Sequence, residues 1–238
     1  MVRVAVAQIK VVKDVENNLQ QILKFIDKAS NKRADIVCFP ETCLSSDSEN
    51  VLDISNQIEE ICEKCCNESI YCIFGTYIRK RNKIYNTAFL IDSSGSVLYK
   101  YKKVNLWKSE LKNVSPGKIN KVVETDFGKI GIITCWDFAF PEFVKSLSKK
   151  GAKIIFCPSY LVDYERDKEL LRNIPLVRAF ENMSYFISCD AFTDKTLSES
   201  YICHPLRTLK AIKKREGIMF EDLNVKEIDS LRKYYDLL

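Results

Sequence analysis

The sequence predicts an α/β fold, and two observations lead to this class. Apolar runs of strand length alternate with longer segments whose apolar residues fall at helical spacing, and this alternation occurs twice along the chain. No linker, internal repeat or low-complexity segment divides the 238 residues, and 46% of them are hydrophobic, which is enough for a sizeable core. We therefore expect a single domain that spans residues 1–238.

The N-terminal half is expected to begin with strands and helices in alternation and to continue with hairpins. An apolar stripe over residues 15–26 predicts a first helix, with Asp14 as its N-cap, and a second helix is expected over residues 51–66. After that helix the apolar period becomes that of strands separated by turn residues, which is typical of antiparallel pairing. The strands are expected at residues 2–8, 35–39, 70–79, 84–91 and 96–101.

The C-terminal half predicts a further mixture of strands and helices. Pro175 is expected to kink or restart a helix over residues 165–181, and Gly151 suits the position after a helix over residues 140–150. A terminal helix is expected over residues 224–234. The strands are expected at residues 122–125, 129–134, 153–157 (ended by Pro158), 185–189, 200–203, 208–212 and 217–221.

Charge and hydropathy disfavour two classes of partner. The net charge is only +5 and no basic block contains interleaved aromatic residues, so nucleic-acid binding is not expected. The sequence shows no apolar run of membrane-spanning length and no export signal. We therefore expect a cytoplasmic protein without a membrane partner, in which the ten cysteines are reduced thiols.

Three neighbouring cysteines resemble half of a metal site. Cys62, Cys65 and Cys66 are not followed by a second pair at zinc spacing, and His204 is the only histidine. Cys62 and Cys65 also have the spacing of a redox pair, but they lie inside a predicted helix rather than at its start. We expect thiols on or under an amphipathic helix, with neither a metal nor an organic cofactor.

Cys135 is the cysteine whose position suggests chemistry. It follows the apolar run 130–134 and precedes Pro141, which suits the first turn of a helix. A thiol on a strand-to-helix turn can face a ligand near free backbone N–H groups. Because a buried cysteine packs without reacting about nine times in ten, this position needs support from other residues.

Two other strand ends supply what a reactive thiol lacks. Glu41 follows Phe39-Pro40, and Lys102-Lys103 follow Tyr101. A carboxylate can act as general base for the thiol and later for water, and an ammonium lowers a thiol pKa and stabilises an oxyanion. The N–H of Trp136 is expected to be the second oxyanion donor. A carboxylate, an ammonium and a thiol suffice for acyl transfer through a thioester.

The chain resembles the nitrilase superfamily of carbon–nitrogen hydrolases over nearly all of its length. The residues that carry the resemblance are Phe39-Pro40-Glu41, Tyr101-Lys102-Lys103-Val104-Asn105-Leu106, Gly131-Ile132-Ile133-Thr134-Cys135-Trp136-Asp137 and Phe140-Pro141-Glu142. Support comes from residues 82–90, Ser115-Pro116-Gly117, Cys157-Pro158-Ser159 and Arg178-Ala179-Phe180-Glu181-Asn182.

The resemblance implies a Glu41–Lys103–Cys135 triad, in which Cys135 is the nucleophile, Glu41 the general base and Lys103 the stabiliser of the tetrahedral intermediate. Many members have a second glutamate that positions the substrate, and Glu110 matches it best. Asp137 is expected to fix the turn. The resemblance also implies a four-layer α-β-β-α sandwich and a homodimer formed through the helix after the nucleophile and the helix that bears the Arg178 stretch.

Two departures from the family pattern concern the surroundings of this triad. Asn105 occupies a position where many members have histidine, which puts the packing behind Lys103 in question. Leu206-Arg207 follow Pro205, where a glycine is common, which suggests a changed loop near the pocket rim. Neither departure removes a reacting group.

Several activities fit these residues. An amidase that cleaves a small carboxamide is expected first, N-carbamoyl (ureido) compounds second and nitriles third. The same acyl-enzyme could instead be passed to an amine or alcohol by a transferase. A non-catalytic binding protein is disfavoured because Glu41, Lys103 and Cys135 are all intact.

Overall fold

Two six-stranded β-sheets lie face to face at the centre of the protein, in a computed structural model that describes residues 1–162 and 164–237. The strands are β1 (Val2–Gln8), β2 (Ile36–Cys38), β3 (Tyr71–Lys80), β4 (Lys83–Ile91), β5 (Val97–Lys102), β6 (Val122–Thr125), β7 (Gly128–Ile132), β8 (Ile154–Ser159), β9 (Tyr185–Asp190), β10 (Glu199–His204), β11 (Arg207–Lys213) and β12 (Gly217–Leu223). The helices are α1 (Val15–Ser30), α2 (Ser55–Asn67), α3 (Pro141–Lys149), α4 (Lys168–Glu181) and α5 (Glu227–Tyr235). Short 3₁₀ turns lie at Glu110–Lys112, Cys135–Ala139 and Glu165–Asp167.

The two sheets have similar strand arrangements. The first has the order β12-β1-β2-β3-β4-β5, and the second has the order β11-β10-β9-β8-β7-β6. In each sheet the three consecutive strands β1-β2-β3 or β7-β8-β9 are parallel, and the strands that flank them are antiparallel. The carboxyl end of β2, which the sequence analysis identified, therefore lies in the middle of the first sheet, and that of β7 lies in the second sheet, one strand in from the edge strand β6.

Three buried clusters show that the molecule has four layers. The inner faces of both sheets share one cluster, in which side chains of β1 and β2 meet those of β7, β8 and β9. The outer face of the first sheet packs against α1 and α2, and the outer face of the second packs against α3 and α4. The predicted α-β-β-α sandwich is confirmed. None of the helices within residues 1–162 and 164–237 is long and apolar enough to cross a membrane.

Most predicted elements are present, and Asp14 caps α1 as expected because its carboxylate accepts the N–H of Asn17 at 2.7 Å. The prediction that Pro158 ends a strand was wrong. β8 continues to Ser159 because its partner β7 has already ended at Ile132, so no β7 carbonyl needs the N–H that proline lacks.

Two helix predictions also needed correction. The helix expected from residue 51 begins at Ser55, because the Asp53 carboxylate accepts the Ser55 N–H at 3.0 Å and holds the preceding residues in a turn. The segment expected to be helical from residue 165 starts as a 3₁₀ turn, and α4 begins at Lys168. α4 continues through Pro175 rather than restarting there, with its buried residues packed against the second sheet.

Candidate active site

Glu41, Lys103 and Cys135 come together at one end of the space between the two sheets. Each lies just after a strand: Glu41 after β2, Lys103 after β5 and Cys135 after β7. The Lys103 Nζ donates to the Glu41 Oε1 at 2.8 Å, and both side chains are almost completely buried. All three residues line one cavity of about 910 Å³.

The position of Lys103 follows from strand register. Tyr77 of β3 lies opposite Asn86 of β4, and the Lys103 N–H donates to the Asn86 carbonyl at 2.9 Å, one position beyond the last pairs of β4 with β5. Residues opposite each other in adjacent strands point to the same face of the sheet, so these three side chains form a row. Lys102 points the other way, with its ammonium 3.5 Å from the centre of the Tyr85 ring.

Glu41 lies on a tight turn that packs against β3. The next residue, Thr42, has a φ of 49°, in the left-handed region. A Cβ added at Gly75 would lie 2.5 Å from the Thr42 backbone nitrogen and 2.8 Å from the Glu41 Cα. Only glycine in β3 therefore allows the turn that carries Glu41 to approach so closely.

Cys135 lies at the start of a 3₁₀ turn and has a φ of 46°, a strained conformation for a residue with a side chain. Its thiol is 7% exposed and faces the Tyr160 carbonyl at 3.8 Å. The N–H of Trp136 is in the first turn, where a helical segment leaves its N–H groups without internal acceptors. The Trp136 ring packs edge-on against Trp107, with ring centres 4.5 Å apart.

Asp137 ties the turn that begins at Cys135 to the segment that carries Lys103. Its Oδ2 accepts the Thr134 N–H at 3.0 Å and the Tyr101 hydroxyl at 2.6 Å. Its Oδ1 accepts both the backbone N–H and the side-chain amide of Asn105, at 2.8 and 2.9 Å. Asn105, the residue found in place of a common histidine, thus supports the packing behind Lys103.

Glu110 joins the charged cluster from the 3₁₀ turn at Glu110–Lys112. Its Oε2 accepts Lys103 Nζ at 2.6 Å and the Trp107 N–H at 2.9 Å. Its Oε1 accepts the Asn86 side-chain amide at 2.7 Å. The same amide nitrogen donates to the Glu41 Oε1 at 2.7 Å. The sequence analysis assigned no role to Asn86, although its place in the hairpin before Lys103 could have indicated one.

Burial and neighbouring charges determine the protonation states of the cluster. Burial raises the pKa of Glu41; Lys103 opposes the rise and Glu110 adds to it. Burial alone would lower the pKa of Lys103, but the negative charges of Glu41 and Glu110, and that of Cys135 when it is ionised, hold it well above its usual value. Burial and the Glu41 carboxylate raise the pKa of the Cys135 thiol well above its usual value, and Lys103 only partly offsets them. These shifts favour a protonated Cys135 thiol beside the Glu41 carboxylate.

The cavity combines aromatic walls with a polar rim. Tyr77, Trp107, Trp136, Tyr160 and Leu161 surround the charged groups. Its remaining lining includes both cations and anions: Lys13, Lys108, Lys112, Arg166, Lys195, Asp47, Glu49, Asp167 and Asp194. The space suits a small ligand with one polar reacting group.

The cysteines of α2 lie away from this cavity. Cys65 is buried under the helix, Cys62 is half-buried and Cys66 is exposed. Among residues 1–162 and 164–237, no group of three or more histidine, cysteine or acidic side chains could hold a metal ion.

Comparison with known proteins identifies the family of this chain. The model of the carbon–nitrogen hydrolase family matches residues 3–233. A probable nitrilase of Schizosaccharomyces pombe is 28% identical over 93% of this chain and 88% of its own, and an omega-amidase of Homo sapiens is 25% identical over 97% and 91%.

A solved structure also has this fold. It is a Glu-to-Gln variant of an amidase from Nesterenkonia sp. AN1, with acrylamide added to its active-site cysteine, and it superposes with a TM-score of 0.88 at 20% identity over 99% of this chain and 98% of that one. The family model covers almost the whole chain. This protein therefore belongs to the carbon–nitrogen hydrolase family of the nitrilase superfamily and is an enzyme of that class.

Proposed function

We propose that the protein is an amidase that cleaves small carboxamides through a thioester on Cys135. The observation that supports this most directly is the buried cluster of Glu41, Lys103 and Glu110 beside the Cys135 thiol, at the wall of a cavity of about 910 Å³. Burying three charged groups next to a thiol is unfavourable for stability. Such an arrangement is therefore more typical of a reactive site than of a structural one.

Acylation begins with the transfer of the Cys135 proton to Glu41. The sulfur then attacks the amide carbon, and the Lys103 ammonium with the Trp136 N–H stabilises the resulting oxyanion. As the tetrahedral intermediate collapses, the proton held by Glu41 passes to the leaving nitrogen, the C–N bond breaks and ammonia departs. Glu41 is again a carboxylate, and Cys135 carries the acyl group as a thioester.

Deacylation uses the same groups in a second cycle. Glu41 removes a proton from water, the hydroxide adds to the thioester carbon, and Lys103 and Trp136 again stabilise the oxyanion. The C–S bond breaks, the sulfur recovers the proton from Glu41, and the carboxylic acid leaves. Glu110 keeps Lys103 in place through its 2.6 Å ion pair and contributes to the cavity wall.

The relatives favour amides over the other substrate classes. The human relative is an omega-amidase and the Nesterenkonia protein is an amidase, whereas the relative from S. pombe is a probable nitrilase. Ureido compounds and nitriles would use the same thiol and remain alternatives within the reaction class.

Ammonia release from a panel of small amides, ureido acids and nitriles tests this proposal. We expect the wild type to release ammonia from one of these three classes, the carboxamides being the class that we propose. The Cys135→Ala variant is expected to release none. If no compound releases ammonia while iodoacetamide still alkylates Cys135 in the folded protein, the hydrolase proposal fails in favour of an acyltransferase, in which an amine or alcohol replaces water.

We also propose that the enzyme forms a homodimer through α3 and α4. Phe140, Val177 and Phe180 are large apolar side chains that remain substantially exposed at these helices, and the Phe180 ring packs against Tyr235 of α5. A second copy would cover this surface. Light scattering is expected to give twice the monomer mass for the wild type and the monomer mass for Phe180→Glu, and a monomeric wild type would contradict the proposal.

A further inference from the structure

The side chain of Asn86 connects the two carboxylates of the charged cluster. Its Nδ2 donates one hydrogen to the Glu41 Oε1 and the other to the Glu110 Oε1, each at 2.7 Å. Both neighbours accept hydrogen bonds, so the amide must present its nitrogen to them. With Lys103 Nζ, which donates to both glutamates, these bonds close a ring of four side chains.

The side-chain carbonyl oxygen of Asn86 accepts no hydrogen bond from the described residues. Asn86 is 1% exposed, so this oxygen is buried. An unpartnered buried carbonyl is unfavourable for the stability of the fold. The benefit must come from the two N–H groups, which serve carboxylates that together carry one more negative charge than Lys103 compensates.

The hydrogen bonds distinguish the two oxygens of Glu41. Oε1 accepts from both Lys103 and Asn86, so its lone pairs are occupied. Oε2 accepts no hydrogen bond from these two residues, so it is free to accept one from the Cys135 thiol. An interaction between the thiol and the Glu41 carboxylate lowers the pKa of that carboxylate, although burial outweighs it. Two donors on Oε1, one from β4 and one from the residue after β5, oppose rotation of the carboxylate about its terminal bond.

We propose that Asn86 is a positioning residue that fixes Glu41 with Oε2 toward Cys135 and so selects the oxygen that accepts the thiol proton. The inference rests on the base role of Glu41 in the proposed function. Asn86 does not line the cavity, so it acts on the reaction through Glu41 and not by touching the substrate. A second cation in place of Asn86 would lower the basicity of Glu41. The neutral amide orients the Glu41 carboxylate without adding a positive charge beside it.

The test compares Asn86→Leu with Asn182→Leu. Asn182 is a matched control, because it is also fully buried, donates from Nδ2 to the Arg178 carbonyl at 2.8 Å and has an unpartnered Oδ1 among the described residues. With the best amide of the panel, Asn86→Leu is expected to lower kcat by at least ten-fold, but by no more than the roughly 10²–10⁴-fold that a general base supplies, and to leave KM unchanged. Asn182→Leu is expected to keep the wild-type kcat.

The pH profile provides a readout that a purely structural role would not change. The ionisable groups around Glu41 are Lys103, Glu110, Cys135, Tyr77 and Cys157, and all of them remain in the variant. Loss of a donor to the carboxylate disfavours its charged form, so the acid limb of kcat/KM is expected to move to higher pH. The pH dependence of Cys135 alkylation by iodoacetamide, followed by mass spectrometry, should move in the same direction.

The outcomes separate this inference from the proposed function. An unchanged kcat with an unmoved acid limb, or a loss confined to KM, overturns the role of Asn86 even if Cys135→Ala is inactive. Conversely, an active Cys135→Ala or an unimpaired Glu41→Gln overturns the proposed function whatever Asn86 does. If Asn86→Leu does not fold, the test uses Asn86→Ser, which keeps one donor hydrogen. The same criteria apply: a lower kcat and an acid limb of kcat/KM at higher pH support the role of Asn86, and unchanged values overturn it.

Discussion

Cys135→Ala is expected to abolish turnover, with a loss on the order of the 10⁶-fold seen when a hydrolase loses its nucleophile. The proposed mechanism has no second group that could form the thioester. The fold should persist, because alanine keeps the Cβ that the left-handed backbone already accommodates and loses only a sulfur that faces the Tyr160 carbonyl at 3.8 Å. The measurements are ammonia release and thermal unfolding of the same preparation.

Cys203→Ala is the matched control for this variant. Cys203 lies in the same buried cluster on the outer face of the second sheet but on β10, and it does not line the cavity. It is expected to lose a similar, small amount of stability and to keep the wild-type turnover. Wild-type turnover by Cys135→Ala would show that another group is the nucleophile, and a common loss of turnover in both variants would indicate misfolding.

The sequence could predict that Glu41, Lys103 and Cys135 lie at strand ends, and the structure brings them to one cavity. Glu41 follows a proline that ends an apolar run, and Cys135 separates an apolar run from a helix start. In parallel strands such ends meet at one edge of the sheet, and the face-to-face packing of two sheets brings both edges to one place. Periodicity and strand ends indicated these positions, and the resemblance of the motifs to the nitrilase superfamily was needed to assign them as a triad.

The supporting residues could not be predicted in the same way. Tyr77 and Asn86 meet Lys103 through cross-strand register, and a shift of one residue would send these side chains to the opposite face. The short turn between Lys80 and Lys83 sets the register of β3 with β4, but the register of β4 with β5 shifts at Leu90 and Ile91, which the sequence does not indicate. The Glu41 turn likewise depends on the absence of a side chain at Gly75, which lies 34 positions away in the chain and becomes relevant only when β3 packs beneath it.

Lys103→Met is expected to impair both turnover and folding, for separate reasons. Loss of one oxyanion donor lowers kcat by roughly 10²–10³-fold. Removing the ammonium also leaves Glu41 and Glu110 as buried carboxylates without the cation that pairs with both of them. Breaking a buried ion pair in this way costs about 3–5 kcal/mol. Urea unfolding and steady-state kinetics with the best amide measure the two effects.

The instability should depend on pH in a defined direction. Without Lys103 the folded protein holds a proton on one of the two carboxylates more tightly than the unfolded chain does, so the carboxyl pKa in the folded state rises further. A group with a raised folded-state pKa loses stability as the pH increases. The destabilisation of Lys103→Met is therefore expected to be largest above neutral pH and to shrink as the pH falls toward the ordinary glutamate pKa of about 4.3.

A second substitution separates the two effects. Glu110→Gln, added to Lys103→Met, removes one of the opposed charges and should recover much of the stability, because glutamine can still accept the hydrogen bond from Asn86. It cannot restore the oxyanion donor, so turnover should remain low. If the double variant recovered turnover together with stability, Lys103 would act only by holding the two glutamates. An unchanged rate in Lys103→Met alone would remove the ammonium from the mechanism.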